Sequence, residues 1–563
     1  MFYEGIRRPD SVIVIPPELF DETERLASAW ESEDKILRLW SGDASIWSGA
    51  AEGQQLGWLR IIEKQRQYLD SLLALKQDAE NSRFEHAVLL GMGGSSLCPE
   101  VLRQTFGRKS LAPDLRILDS TDPAQILATD KAIDYQRALF IISSKSGTTL
   151  ESTMLARYFF DRVSTEVGAN PGDRFVAVTD PGSPLDEFAV TRKFRYVFHG
   201  HPNIGGRFSA LSNFGLVPAA VMGLDVSRLL DRAEVMRARC GATKPLRENP
   251  AAMLGLMLGA AAKAGRDKIT FITSPSIRTF GAWLEQLLAE STGKKGVGFI
   301  PVNGEIVGTP EVYGEDRMFV YLRDERGRKE GQDVAVKRLE EAGLPVVRLS
   351  LRDFYDLGGE FFRWEFATAV IGAILRINPF DQPDVEESKR RTQRLTEAYE
   401  QGDEFFRDEP VACEGKISVY GDTGSYVSPE KDGSGFSVAE VIAAHLRRVA
   451  PGDYVAFMAY LEMSPVHLEV LQRLRGVVRS RLGVATCADF GPRFLHSTGQ
   501  VHKGGPNTGV FFQITCSDEI DIPVPGKQYS FGVVKMVQAR GDLETLIKRD
   551  RRVLRVHLTG SVL

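Results

Sequence analysis

From Ala87 onward, short apolar runs alternate with longer stretches whose apolar residues recur every three or four positions. The runs are "AVLLGM", "LRILDS", "ALFIISS", "RFVAVTD" and "FRYVFHG". Apolar runs this short, closed by Gly, Ser or Asp, read as buried strands, and strand–helix alternation closes most readily as a parallel sheet covered by helices. The rhythm resumes at "DKITFITS", with "VGFIPV", "MFVYLR" and "PVVRLSL", and a third time at "DYVAFMAYL", "GVFFQITC" and "VLRVHL". A single core stops growing at roughly 250–300 residues, so 563 residues must divide. The expected division is a helical segment at 1–86, an α/β unit at 87–243, a second at 244–401, a linker at 402–437 and a C-terminal α/β segment at 438–563. The opening segment reads as helical from "DETERLASAWESEDKILRLW" and "GWLRIIEKQRQYLDSLLALKQDAE". The linker is the polar, glycine-rich text around "YGDTGSYVSPEKDGSGFS".

Charge narrows the function. Seventy Lys and Arg stand against 75 Asp and Glu, a balance that argues against a nucleic-acid partner. The arginine runs "SKRRTQR" and "KRDRRVLR" read as solvated faces. Five scattered cysteines without a CxxC pair suit reduced thiols better than a disulfide framework. No run approaches the about 20 apolar residues of a membrane span, and "MFYEGIRRPDSVIVIPPELF" lacks a leader's apolar stretch. The expectation is a cytoplasmic protein with no membrane contact.

Two strands end in small, hydroxyl-rich loops, "GMGGSSL" and "SSKSGTT", each followed by a helix. In an open parallel sheet, ligands sit beyond the carboxyl ends of the strands, and a helix N-terminus favours a phosphate. Gly94 and Ser95 in the first loop, and Ser144, Lys145, Ser146, Thr148 and Thr149 in the second, are therefore candidate ligands for a small dianion. Two alternatives stay open at this point. Either loop could be a glycine turn with a helix cap. The first also comes near a dinucleotide fingerprint, with Ser96 in place of the third glycine and Asp119 as the acidic partner.

Taken with "GGRFSALSNFG", "LAESTGK" and "NPFDQPDVEESK", the loops resemble the phosphoglucose isomerase family of sugar isomerase (SIS) domain proteins. More narrowly, the chain is similar to the isomerase half of transaldolase–isomerase fusions, without a transaldolase barrel. The resemblance implies an α/β fold of tandem doubly wound parallel-sheet SIS domains, each an α-β-α sandwich, with the C-terminal segment as a partial repeat of the second. It implies reversible interconversion of glucose 6-phosphate and fructose 6-phosphate through an enediolate, with a sugar phosphate as partner and no metal or cofactor. A homodimer and a functional link to a transaldolase follow from the same likeness. An isomerase of another 6-substituted hexose, such as mannose 6-phosphate or a sulfonated sugar, and a sugar-phosphate-binding module without turnover remain as alternatives.

Carried over residue by residue, the likeness makes Glu290 the base, Arg207 the stabiliser of the anion, and Lys389 an aid to ring opening, with Gln382 lining the site. Independently of it, Glu290 lies at a helix C-terminus, the unfavourable end of the dipole for a carboxylate. Glu285, just upstream, reads as structural or surface. The family's ring-opening histidine is missing between Glu290 and Lys389. His496 in "FLHSTGQVHKGG" resembles it, in reversed order relative to Lys389, with His502, His199 and His201 as lesser candidates. "YDLGGEFF" and "KQYSFGVV" read as two versions of one element, which suggests the repeat.

Overall fold

The computed structural model describes residues 3–8, 11–327, 330–402, 408–421 and 436–560. The apolar runs after Ala87 form a five-stranded, all-parallel sheet. Its order is Asp114–Leu118, His86–Gly91, Ala138–Ser143, Phe175–Thr179, Tyr196–His199. Every residue of Ala138–Ser143 and Phe175–Thr179 is buried, as strands covered on both faces require. Chain order reverses direction between His86–Gly91 and Ala138–Ser143, so this is the switch point where a crevice opens. The two hydroxyl loops leave the carboxyl ends of these two strands. Strand order, rather than proximity in sequence, brings them side by side.

The second sheet carries Val346–Leu351, Arg317–Asp324, Lys268–Thr273 and Ile300–Val302, all parallel, in that order. The third carries Arg552–Leu558, Gly509–Cys516, Tyr454–Tyr460 and Ala485–Phe490, again parallel. Numbered along the chain, both run fourth, third, first, second. Each also takes an antiparallel hairpin on its fourth strand: Tyr3–Arg8 with Ser11–Ile15 on the second sheet, Ala412–Glu414 with Ile417–Tyr420 on the third. Their opposite edges meet, where Ile300 and Val302 share a core with Ala485 and Cys487.

Three expectations need adjusting. The opening 86 residues are not wholly helical, because Tyr3–Arg8 and Ser11–Ile15 supply the hairpin of the second sheet. Residues 402–437 are not simply a linker, because two of their segments are strands of the third sheet; residues 403–407 and 422–435 lie outside the described residues. "YDLGGEFF" opens the helix that follows the fourth strand of its sheet, whereas "KQYSFGVV" leads into the helix between the third and fourth strands of the other, so they do not occupy matching places.

The C-terminal segment is packed into the first unit as well. Its helix Phe531–Lys548 places Phe531 edge-on to Tyr158 at 5.9 Å, and Ile522, Val524 and Val534 join the same core as Phe140 and Phe159. The helix Pro383–Glu400 lies along it, with Ser388 Oγ donating to Thr545 Oγ1 at 3.4 Å.

Candidate active site

Glycine lets the first loop approach three other segments. Gly93 has φ +53°, and a Cβ there would fall 2.7 Å from Gln286 Nε2 and 2.9 Å from the carbonyl of His496. A Cβ on Gly94 would collide with the carbonyl of Gly206. The loop therefore sits directly on the Arg207 turn and on the His496 turn. Ser95 is buried in the short turn Gly93–Ser95, and the neighbouring Ser96 donates to Asp119 Oδ2 at 3.0 Å. In the second loop Ser144 Oγ donates to Thr149 Oγ1 at 3.1 Å, and Ser146 and Thr148 share a hydroxyl contact at 2.9 Å. Gly147, at φ +67°, makes the bend, and a Cβ would lie 2.7 Å from the Leu185 amide. Lys145 Nζ pairs with Asp180.

Arg207 is 2% exposed and fully committed. Its Nε donates to Ser291 Oγ at 2.7 Å, and Nη1 to Gln382 Oε1 at 2.8 Å and Glu290 Oε2 at 3.2 Å. Nη2 donates to the carbonyls of Pro379 and Asp381 at 2.7 and 2.9 Å. The planar fork of a guanidinium can serve such a ring of acceptors, and an ammonium cannot. Four of these five acceptors are groups other than Glu290, three of them from the Pro379–Gln382 segment, so the positive charge stays fixed whatever Glu290 does.

Glu290 lies in the last turn of Phe280–Thr292, a helix buried along nearly its whole length. Burial raises its carboxyl above the usual carboxylate range, against the opposing charges of Arg207, His496 and Lys389. That is the condition of a carboxylate able to take and return a proton.

His496 ends the turn Arg493–His496 and donates from Nε2 to Glu151 Oε1 at 2.9 Å. Glu151 stands in the first turn of the helix that follows the second hydroxyl loop. Burial alone would raise its carboxyl, but the charge and hydrogen bond of His496 outweigh it and hold Glu151 below the usual range. Gln538, from the C-terminal helix, donates to the same Oε1 at 2.5 Å, and Thr121 in turn donates to Gln538 Oε1 at 2.8 Å.

The expected residues thus gather from all three α/β units. Arg207, Glu290 and Gln382 touch directly; His496 reaches them through the first loop and Gln286. Lys389 is exposed and paired with Glu386 at 2.9 Å on its own helix, though its charge acts on both Glu290 and Glu151. The lesser histidines are elsewhere. His502 is buried against Tyr454, with its Nδ1 3.0 Å from the phenol, and burial pushes it down to about 3. His199 faces Asp186 at 3.1 Å, and His201 stacks edge-on with Tyr68. Glu285 is buried beside Asp489 rather than at the surface, and burial lifts its carboxyl well above the usual range.

Sequence reading missed Glu151, Gln538, Thr121 and Ser291. A Glu directly after a hydroxyl loop is an ordinary helix N-terminus, and nothing near Gln538 marks it. Among the described residues no group of three or more His, Cys, Asp or Glu could hold a metal ion, and no helix is long and apolar enough to cross a membrane.

Residues 61–315 match the phosphoglucose isomerase family model. The "Probable glucose-6-phosphate isomerase" of Methanococcus maripaludis is 26% identical over 377 residues, 60% of this chain and 83% of that protein. The glucose-6-phosphate isomerase of Rubrobacter xylanophilus is 28% identical over 392 residues, 60% of this chain and 88% of that protein. The crystal structure of a glucose-6-phosphate isomerase from Chlamydia trachomatis shares the fold, with a TM-score of 0.58 at 21% identity over 67% of this chain and 86% of that one. The likeness to phosphoglucose isomerases read from the motifs is borne out; the narrower likeness to transaldolase–isomerase fusions is not shown by these relatives.

Proposed function

We propose, from the phosphoglucose isomerase match over residues 61–315, that the chain is a glucose-6-phosphate isomerase that moves one proton between neighbouring carbons of its substrate. The observation that carries the reading is the buried Glu290 carboxylate beside the immobilised Arg207 guanidinium, 3.2 Å away. The hydroxyls of Ser144, Ser146, Thr148 and Thr149, with Lys145, Gly94 and Ser95, hold the substrate's phosphate. His496, oriented by Glu151, passes a proton in opening the ring, and Lys389 assists at the ring oxygen. Glu290 then takes the proton from C2 of the open aldose, leaving an enediolate, and returns it to C1 while the O2 hydroxyl proton passes to O1, which gives the ketose.

Arg207 faces the anion as it forms. Its N–H groups are all held by protein acceptors, so it acts through its fixed positive charge, and no reorganisation opposes that stabilisation. Gln382 lines the site and accepts from the same Arg207 Nη1 that donates to Glu290. The same resemblance extends the proposal to a cytoplasmic homodimer that works beside a transaldolase and needs no cofactor.

The test is turnover in D2O with a substrate panel. Solvent deuterium at C1 of product fructose 6-phosphate, lost in Glu290→Gln, supports the reading. Preference for mannose 6-phosphate or a 6-sulfonated hexose would move the substrate assignment, and tight binding without exchange would leave a sensing module instead.

A further inference from the structure

A cavity of about 590 Å³, with none of the hydroxyl-loop residues in its wall, opens beside the Ile377–Asp384 segment. Its wall comes from four stretches far apart in sequence: Ser48 and Ala50, the turn after Glu290, the Ile377–Asp384 segment, and the C-terminal segment near residues 503–507 and 549–551. Five cations line it, Lys294, Lys295, Lys503, Arg549 and Arg551, against two carboxylates, Asp381 and Asp384.

Three of those cations are already neutralised. Lys503 Nζ meets the buried Asp542 at 2.5 Å, Arg549 Nη2 meets Asp384 at 2.5 Å and Glu387 at 3.0 Å, and Lys294 Nζ meets Asp381 at 2.8 Å. Lys295 and Arg551 have no carboxylate partner among the described residues. Arg551 holds its wall with Nη2, which donates to the carbonyls of Lys503 and Gly505 at 2.6 and 2.7 Å. Its Nε and Nη1 are buried without a hydrogen-bond partner among the described residues. A guanidinium whose charge meets no carboxylate leaves the wall electropositive there, the condition that attracts an anion. The wall is also closely built: a Cβ on Gly504 would strike Asp384 Oδ2.

We infer that this cavity is a second anion site, which takes a small organic phosphate on Arg551 and Lys295. The volume exceeds what one phosphate group fills and lies within the range of small-molecule sites. Ala50, Ile377 and Pro383 offer the ligand's carbon skeleton an apolar wall. The site stands apart from the isomerase reading, since none of the hydroxyl-loop residues lines it. It does share one element with it: the Asp381 carboxylate faces Lys294 in the cavity while the Asp381 carbonyl holds Arg207.

Titration calorimetry of the full chain with inorganic pyrophosphate tests this. Wild type is expected to show two classes of site. Lys295→Glu, which alters an exposed turn residue with no side-chain hydrogen bond or ion pair among the described residues, and Arg551→Ala should each weaken one class at least tenfold and leave the other intact. The double variant Ser146→Ala/Thr148→Ala should do the reverse. Wild-type binding in both Lys295→Glu and Arg551→Ala, or a single class abolished by the hydroxyl-loop double variant, overturns the inference. A nucleoside diphosphate and a sugar bisphosphate, run against Lys295→Glu, then tell which organic phosphate the site prefers.

Discussion

Glu290→Gln isolates the proton-transfer role from the shape of the site. The amide is nearly isosteric, and its oxygen can still accept from Arg207 Nη1 at the 3.2 Å separation now held by Oε2. Arg207 loses a counter-charge but keeps Ser291, Gln382 and two carbonyls, while the cost of burying a carboxylate disappears. Those two changes oppose each other, so stability should move by no more than about 2 kcal/mol. Turnover should fall far more. A positioned general base contributes roughly 10²–10⁴-fold, or about 3–5.5 kcal/mol of barrier. The assay is NMR of deuterium incorporation and of product in D2O, with urea unfolding run in parallel. The expected result is KM within about threefold of wild type, kcat reduced at least 10²-fold, and exchange lost in step with turnover. Turnover within tenfold of wild type, in a folded variant, would refute the assignment.

Because burial raises Glu290 and its carboxylate form is the active one, kcat/KM should fall as pH drops through a value above the ordinary Glu pKa of about 4.3. Arg207→Gln removes the largest opposing charge and should move that acid limb further up; a downward move would contradict the pairing. Glu151→Gln should slow turnover about 10²-fold on ring-closed substrate through misplacement of His496, with little change in proton exchange from the open-chain form, as measured by comparing the two rates. Lys535→Ala strands the buried Asp122 beside Asp518 and should cost about 3–5 kcal/mol in urea unfolding. Extended EDTA treatment should leave turnover unchanged, and loss of turnover with recovery on adding metal would count against a metal-free site.

Local chemistry alone determined where the buried strands lie and which loops can greet a phosphate. An apolar run closed by glycine and hydroxyl residues has few other ways to fold, and His86–Gly91 and Ala138–Ser143 took the expected form. The hairpin strands Ala412–Glu414 and Ile417–Tyr420 were not legible, because segments this short become strands only when a neighbour offers its hydrogen bonds. Nor was the pairing of Glu151 with His496, 345 residues apart, or the reach of Gln538 into it from the last helix. Side-chain type can nominate a base or an arginine, but which carboxylate meets which histidine depends on strand order and on the packing of three α/β units. Those are set by long-range burial, a property that no window of sequence contains.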